Sequence, residues 1–196
     1  MKPLILASAS PQRHKLMTIL GLPFIVYPSK AEEIARLTHS VGHFVKRNAL
    51  RKARDVAGHF KSGLVIGADT VVYSGYKRLI LKPNNLAEAK RKLKELMARP
   101  HWVYSGVALM DAATGKTLVD YEKTRVHMTK LTDAQIDHYH KLVPPVDKAG
   151  GFDIEGKGAL FIHRIEGCYF NVVGLPLAKL AQMLKKFGVE IWGHNT

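Results

Sequence analysis

The chain of 196 residues carries 30 Lys and Arg against 16 Asp and Glu, a formal net charge of +14, with 46% hydrophobic and 23% charged residues. This is the composition of a globular protein with one substantial core, and no apolar stretch approaches the ~20 residues of a membrane-spanning helix. The basic excess attracts polyanions (nucleic acid, an anionic membrane surface or a nucleotide), but it is scattered, densest at 46–54 and 90–99 where the chain reads as solvated helix faces, and selects no function alone.

The opening MKPLILASAS has too short an apolar run for a secretory leader and reads as a first strand, PLILAS. Ser10-Pro11 then supplies a hydroxyl N-cap and a proline at the first helical position, and Leu16, Met17 and Leu20 form the stripe of a helix closed by Gly21. FIVYP is a second strand. Val41, Val45, Ala49, Ala53 and Val56 mark a long helix ending near Gly58. LVIGADTVVY and RLILK read as strands joined through a turn containing Gly75. Asn84 or Asn85 caps a helix with inner face Leu86, Ala89, Leu93, Leu96 and Met97. VYSGVALMD and TLVDYEKTRVHMTKL form an antiparallel pair about the turn Thr114-Gly115-Lys116, and Thr132-Asp133 starts a short helix stopped by Pro144-Pro145. The glycine-rich DKAGGFDIEGKG leads into a strand, ALFIHRI. After GCYFNVVGLP, a last helix carries Leu177, Leu180, Ala181 and Leu184, and the tail IWGHNT is expected to fray. Strands and helices interleave around an antiparallel pair, which predicts an α/β fold with a mixed, partly antiparallel sheet in a single domain over 1–196.

Four features carry chemistry. ASASPQR breaks a strand into a helix whose free N–H groups and dipole suit phosphate, with Arg13 a forked donor on the first turn; plain helix capping is the alternative. Lys52 continues the stripe of the long helix, and either snorkels or enters a cleft. Asp69 is a carboxylate inside an apolar strand, a placement that costs several kcal/mol unless paired or metal-bound, and Lys82 ends the next strand; an Asp69–Lys82 ion pair is the structural alternative to a site. Glu32-Glu33 is a solvated turn or a ligand for a hard cation. The loop 147–158 adds Asp147, Lys148, Asp153, Glu155 and Lys157. No zinc-type spacing occurs among the ten histidines, and His138 and His140 read as surface residues. Cys168, the single cysteine, excludes an internal disulfide and suits a reducing, cytoplasmic setting.

In order, S-A-S-P-x-R, E-E, the K-A of the long helix, G-A-D-T-V-V, K-P, D-K-A-G-G and N-V-V-G-L-P-L resemble the Maf family of nucleotide pyrophosphatases, historically linked to septum formation, from about Leu4 to Leu184. The resemblance implies two lobes around a cleft, related to the inosine triphosphatase architecture. It also implies hydrolysis of a nucleoside triphosphate to the monophosphate and pyrophosphate, dependent on a divalent cation (Mg²⁺ or Mn²⁺). Carried over residue by residue, Ser10, Arg13, Glu33, Lys52, Asp69 and Lys82 are polar cleft residues. The resemblance implies that Asp69 is the proton acceptor; a physical reading compatible with it would place the cation on Glu33 and Asp69 as metal ligands, with Arg13, Lys52 and Lys82 serving catalysis and, with Ser10, binding the substrate's phosphates. A homodimer is expected from similar proteins.

Substrate choice stays open between two sets. Members resembling dTTP/UTP hydrolases carry Arg after the Pro, Thr after the Asp and Gln in the glycine-rich loop; those resembling 7-methyl-GTP hydrolases carry Trp, Gln and Glu. Gln12, Thr70 and Glu155 match neither: Thr70 leans toward pyrimidines, Glu155 toward guanine. House-cleaning of damaged purine nucleotides is a further enzymatic reading. A non-catalytic nucleic-acid-binding or cell-division regulator is the alternative class, supported by the charge and opposed by acids placed beside phosphate-binding cations.

Overall fold

The computed structural model describes residues 2–34, 36–74, 78–146 and 148–192. Asp147, the turn at Gly75 and residues 193–196 of the expected frayed tail lie outside the described residues. Among the described residues seven strands, β1 (Leu4–Leu6), β2 (Phe24–Val26), β3 (Leu64–Tyr73), β4 (Leu79–Ile80), β5 (His101–Asp111), β6 (Thr117–Met128) and β7 (Ile162–Glu166), interleave with six α-helices. These are α1 (Pro11–Thr18), α2 (Val41–Ala57), α3 (Leu86–Met97), α4 (Asp133–Leu142), α5 (Tyr169–Val173) and α6 (Leu177–Lys185). The strands hydrogen-bond in the order β2-β1-β3-β5-β6-β7, with β4 on β3. β1 runs parallel to β2 and β3, while β3–β4 and β6–β7 are antiparallel, so the sheet is mixed as the interleaving pattern predicts.

Contacts divide the chain into two compact units, Met1–Asp69 with Ser105–Glu122 and Gly174–Thr196, and Thr70–Tyr104 with Lys123–Val173; β3, β5 and β6 contribute to both. In the first unit, Ala49, Ala53, Val56 and Ala57 of α2 pack on Ile5, Ala7, Val65 and Ala108. The small residues bring the helix axis close to the sheet. Gly67 and Gly106 are the points of closest approach: a Cβ at Gly67 would lie 2.1 Å from the Ala49 carbonyl oxygen, and one at Gly106 2.3 Å from that of Val45. In the second unit, Leu93, Leu96 and Met97 of α3 and Ile136 and Tyr139 of α4 close over Val72, Ile80, Val103 and Val126.

Local signals set most element starts. Ser10, Ser40 and Asn85 accept N–H bonds as N-caps of α1, α2 and α3, and Thr132–Gln135 forms a full capping box on α4. Several expectations change. The second strand and RLILK shorten to Phe24–Val26 and Leu79–Ile80. Residues 157–160 coil into a 3-10 turn, so the strand expected from Ala159 starts at Ile162. The segment after Cys168, read without structure, contains α5. On α3, Leu86, the first residue of the helix, is 61% exposed rather than on the inner face, whereas Lys92 is buried there. His140 is buried rather than on the surface: it lies one turn beyond Ile136 on the same face, with a ring nitrogen 3.2 Å from the Gly151 carbonyl oxygen, while His138 is exposed.

Candidate active site

In the first unit the site grows from α2. Side chains four residues apart share a helix face, so Asn48 and Lys52 project together. Asp69 lies two residues beyond Gly67 on β3 and therefore points to the face on which α2 rests. The close approach that Gly67 permits brings the helix side chains within bonding distance of a carboxylate only 5% exposed. Lys52 Nζ donates to Asp69 Oδ1 at 2.9 Å, and Asn48 Nδ2 donates to Asp69 Oδ2 at 3.2 Å. Within this unit the ionic partner of Asp69 is thus Lys52.

Glu33 reaches the same ammonium, with Oε1 2.6 Å from Lys52 Nζ. It is held there by a strap along α2. Asp55 accepts from the Ser29 hydroxyl and the Lys30 N–H, and Arg51 donates to the Glu32 carbonyl. Asn48 brackets Ile34 by accepting its N–H at 2.8 Å and donating to its carbonyl at 3.3 Å. Asn48 therefore orients both carboxylates. Only the Lys52–Asp69 pair is buried, with side chains 12% and 6% exposed, and removing one partner of such a pair costs about 3–5 kcal/mol; the Glu33 side chain is 61% exposed.

The strand-to-helix break at ASASPQR supplies the remaining donors. Ser10 Oγ caps α1 by accepting the Arg13 N–H at 3.4 Å, and its hydroxyl donates to Gln12 Oε1 at 3.3 Å. The Arg13 guanidinium is oriented through Nε to the Gly174 carbonyl, 3.0 Å, and through Nη1 to the buried Ser8 Oγ, 3.2 Å. Burial pulls the Arg13 pKa down, opposed by the negative charges of Asp69 and Glu33, so the guanidinium lies within the field of both carboxylates.

These residues suit a hard cation. Two carboxylates converge on one cationic point, which the Lys52 ammonium holds here. Among the described residues no group of three or more His, Cys, Asp or Glu side chains gathers for a metal, at this site or at any other, so the protein offers a cation two carboxylates here. One or two carboxylates completed by substrate phosphate and water is the usual way Mg²⁺ is held.

The other expected residues belong to the second unit. Thr70 is half-buried on β3; Lys82 and Glu155 are exposed. The Glu155 loop is anchored at Asp153, whose Oδ1 accepts from the Tyr139 hydroxyl at 3.1 Å and the Gly158 N–H at 2.9 Å. Tyr169 lies near it: burial raises its phenol pKa first, and the charges of Glu155 and Asp153 add to the rise. Sequence reasoning missed Ser8, Asn48 and the Gly174 carbonyl. Only Asn48 left a signal, as a polar residue one helical turn before Lys52 on the apolar stripe.

A family model described as Maf-like protein matches residues 3–187. A dTTP/UTP pyrophosphatase of Desulforamulus reducens is 47% identical over 97% of this chain and 100% of its own. Its counterparts in Moorella thermoacetica and Bacillus cereus are 45% and 42% identical, covering 99% and 97% of this chain and 100% and 93% of theirs. Among solved structures, a HAM1 protein from Coxiella burnetii superposes with a TM-score of 0.53 at 17% identity, over 95% of this chain and 100% of that one, and establishes the likeness of fold alone. With the motifs in order and nearly the whole chain matched, this protein belongs to the Maf-like family.

Proposed function

We propose that the chain is a nucleoside triphosphate pyrophosphatase that hydrolyses dTTP and UTP to the nucleoside monophosphate and pyrophosphate. The observation that carries this reading is the cluster in which Asp69 and Glu33 share the Lys52 ammonium, with Arg13 in the field of both. The choice of base is supported by the relatives named dTTP/UTP pyrophosphatase at 47% and 45% identity, and by Thr70.

In the proposed reaction a water oxygen bonds to the α-phosphorus, the bond from that phosphorus to the α–β bridging oxygen breaks, and pyrophosphate leaves. Asp69 accepts the water proton. Arg13 and Lys52 donate to phosphate oxygens as charge shifts to the leaving group, with Lys82 and the α1 N-terminus near Ser10 supporting them. Glu33 and Asp69 would hold a divalent cation, which would supply charge neutralisation at the phosphates. Asn48 keeps the Asp69 carboxylate aimed, and Ser8 and Gly174 keep the Arg13 fork aimed.

The test is pyrophosphate release from dTTP, UTP, 7-methyl-GTP, CTP and ITP, each with Mg²⁺, Mn²⁺ and chelator. Release greatest from dTTP and UTP and abolished by chelator is the expected result. Preference for 7-methyl-GTP would overturn the base assignment, and no release from any nucleotide would favour the non-catalytic, nucleic-acid-binding reading.

A further inference from the structure

Lys92 lies on the inner face of α3 with its side chain only 7% exposed, and the reaction above makes no use of it. An apolar residue would continue the stripe of Ala89, Leu93 and Leu96. A buried ammonium is tolerated where its donors are met, and Lys92 meets all three. Its Nζ donates to the Leu81 carbonyl at 3.0 Å, to the Lys82 carbonyl at 3.1 Å, and to Glu88 Oε1 at 2.9 Å. The other oxygen of Glu88 accepts the Asn84 N–H at 2.7 Å, and the Glu88 N–H is held by the Asn85 cap at 2.9 Å. The Asn84 N–H first, then the Lys92 ammonium, bring the Glu88 pKa down to about 2, so the carboxylate is charged at all working pH values.

The bonded groups share one property. β4 ends at Ile80, so Leu81 and Lys82 lie beyond its ladder, and Pro83 offers no N–H and confines Lys82 to extended backbone. The Lys92–Glu88 pair grips the main chain on both sides of Lys82, whose own side chain is exposed.

We propose that Lys92, together with Glu88, is a positioning residue for Lys82: the ion pair of the buried Lys92 with the half-buried Glu88 pins residues 81–84 so that the Lys82 ammonium is presented to the substrate's phosphates. This rests on the phosphate-binding role given to Lys82 above. Lys92 touches no substrate atom; it replaces the ladder that the short strand β4 does not extend.

The experiment is a double-mutant cycle on pyrophosphate release from dTTP, with Lys92→Met, Lys82→Ala and the double variant, beside amide hydrogen exchange on the folded proteins. Lys92→Met is expected to lower kcat/KM by about 10- to 100-fold, the scale of a reacting group displaced by about an ångström. It is also expected to speed exchange at Lys82 and Asn84 while α4 and β5 keep theirs, and to lower kcat/KM no further once Lys82 is Ala. Equal losses in both backgrounds would reduce Lys92 to a packing residue and overturn the proposal. So would a wild-type kcat/KM for Lys92→Met while Lys82→Ala is impaired, a result that leaves the role of Lys82 standing. Wild-type activity of Lys82→Ala would overturn that role, and the proposal with it. Should Lys92→Met fail to fold, Glu88→Gln, which removes the charge and keeps the side-chain shape, runs the same cycle with a smaller loss expected.

Discussion

The two units hold their candidate functional residues in different ways. In the first, the charged groups meet directly: Lys52 bonds Asp69 and Glu33, and both carboxylates depend on Asn48 through Asp69 Oδ2 and the Ile34 backbone. In the second, Lys82 and Glu155 are exposed, and what is held is their main chain, by the Lys92–Glu88 pair and by Asp153 with Tyr139. A helix pressed onto a strand can aim side chains at one another, because both backbones are already rigid. A segment beyond a two-residue strand has no such frame and needs buried side chains to grip its backbone. Changes in the first unit should therefore strike the chemical step, and changes in the second should strike affinity, base choice or stability.

The largest expected effect tests the first half of that contrast. Asp69→Asn should lower kcat for pyrophosphate release by about a hundred- to ten-thousand-fold, the range of general-base catalysis, with dTTP binding and the folded circular dichroism spectrum kept. Retention of activity in the folded variant would break the contrast at its base.

A large effect on stability is expected at His101 in the second unit. This residue is 1% exposed; Nδ1 lies 3.3 Å from the Leu96 carbonyl oxygen, and Nε2 is buried with no partner among the described residues. Burial brings its pKa from 6.5 down to about 4. The folded pKa is depressed, so the stability is fully present above pH 6.5, is lost as pH falls, and is gone below about 4. That shift corresponds to about 3 kcal/mol. Urea unfolding of His101→Phe should lack this component between pH 7 and 4, while catalysis at neutral pH stays close to wild type.

Gly67→Ala probes how the first-unit site is built. The added methyl would meet backbone atoms of α2, which cannot rotate away, so a destabilisation of about 1–3 kcal/mol is expected. Activity should fall as well, because a shifted α2 carries Asn48 and Lys52 away from Asp69. A destabilised variant with unchanged kcat would separate the helix approach from the site. The smallest effect is expected at the exposed Glu155. A carboxylate only accepts, whereas the pyrimidine imide requires one donor and one acceptor, so Glu155→Gln should raise kcat/KM for dTTP over 7-methyl-GTP by up to about tenfold. A shift toward 7-methyl-GTP would remove Glu155 from base selection.

The sequence carried the strand-forming runs and the helix caps because these are decided within a few residues. The bounds of β3, Leu64–Tyr73, match its apolar run, and Ser10, Asn85 and Thr132 cap where their hydroxyl or amide side chains predict. Periodicity failed where a polar residue is buried for a tertiary reason. Lys92 and His140 sit on inner faces because carbonyls of other segments meet their nitrogens there, and no local pattern announces that. The short α5 was illegible for a related reason: five residues are too few for a stripe.

By itself the sequence determined the α/β character and the family motifs, and it nominated Ser10, Arg13, Glu33, Lys52, Asp69 and Lys82 as candidates, since residue type and order are enough to specify which chemistry is available. Only the tertiary structure decided the partners. It gave Asp69 to Lys52, made Asn48 the hinge of both carboxylates, and placed Lys92 beneath the backbone of Lys82. Pairing between charges distant in sequence depends on how closely a helix can approach a strand. Here that distance is set by glycine and alanine at the contact, and by buried donors that must find acceptors once water is excluded.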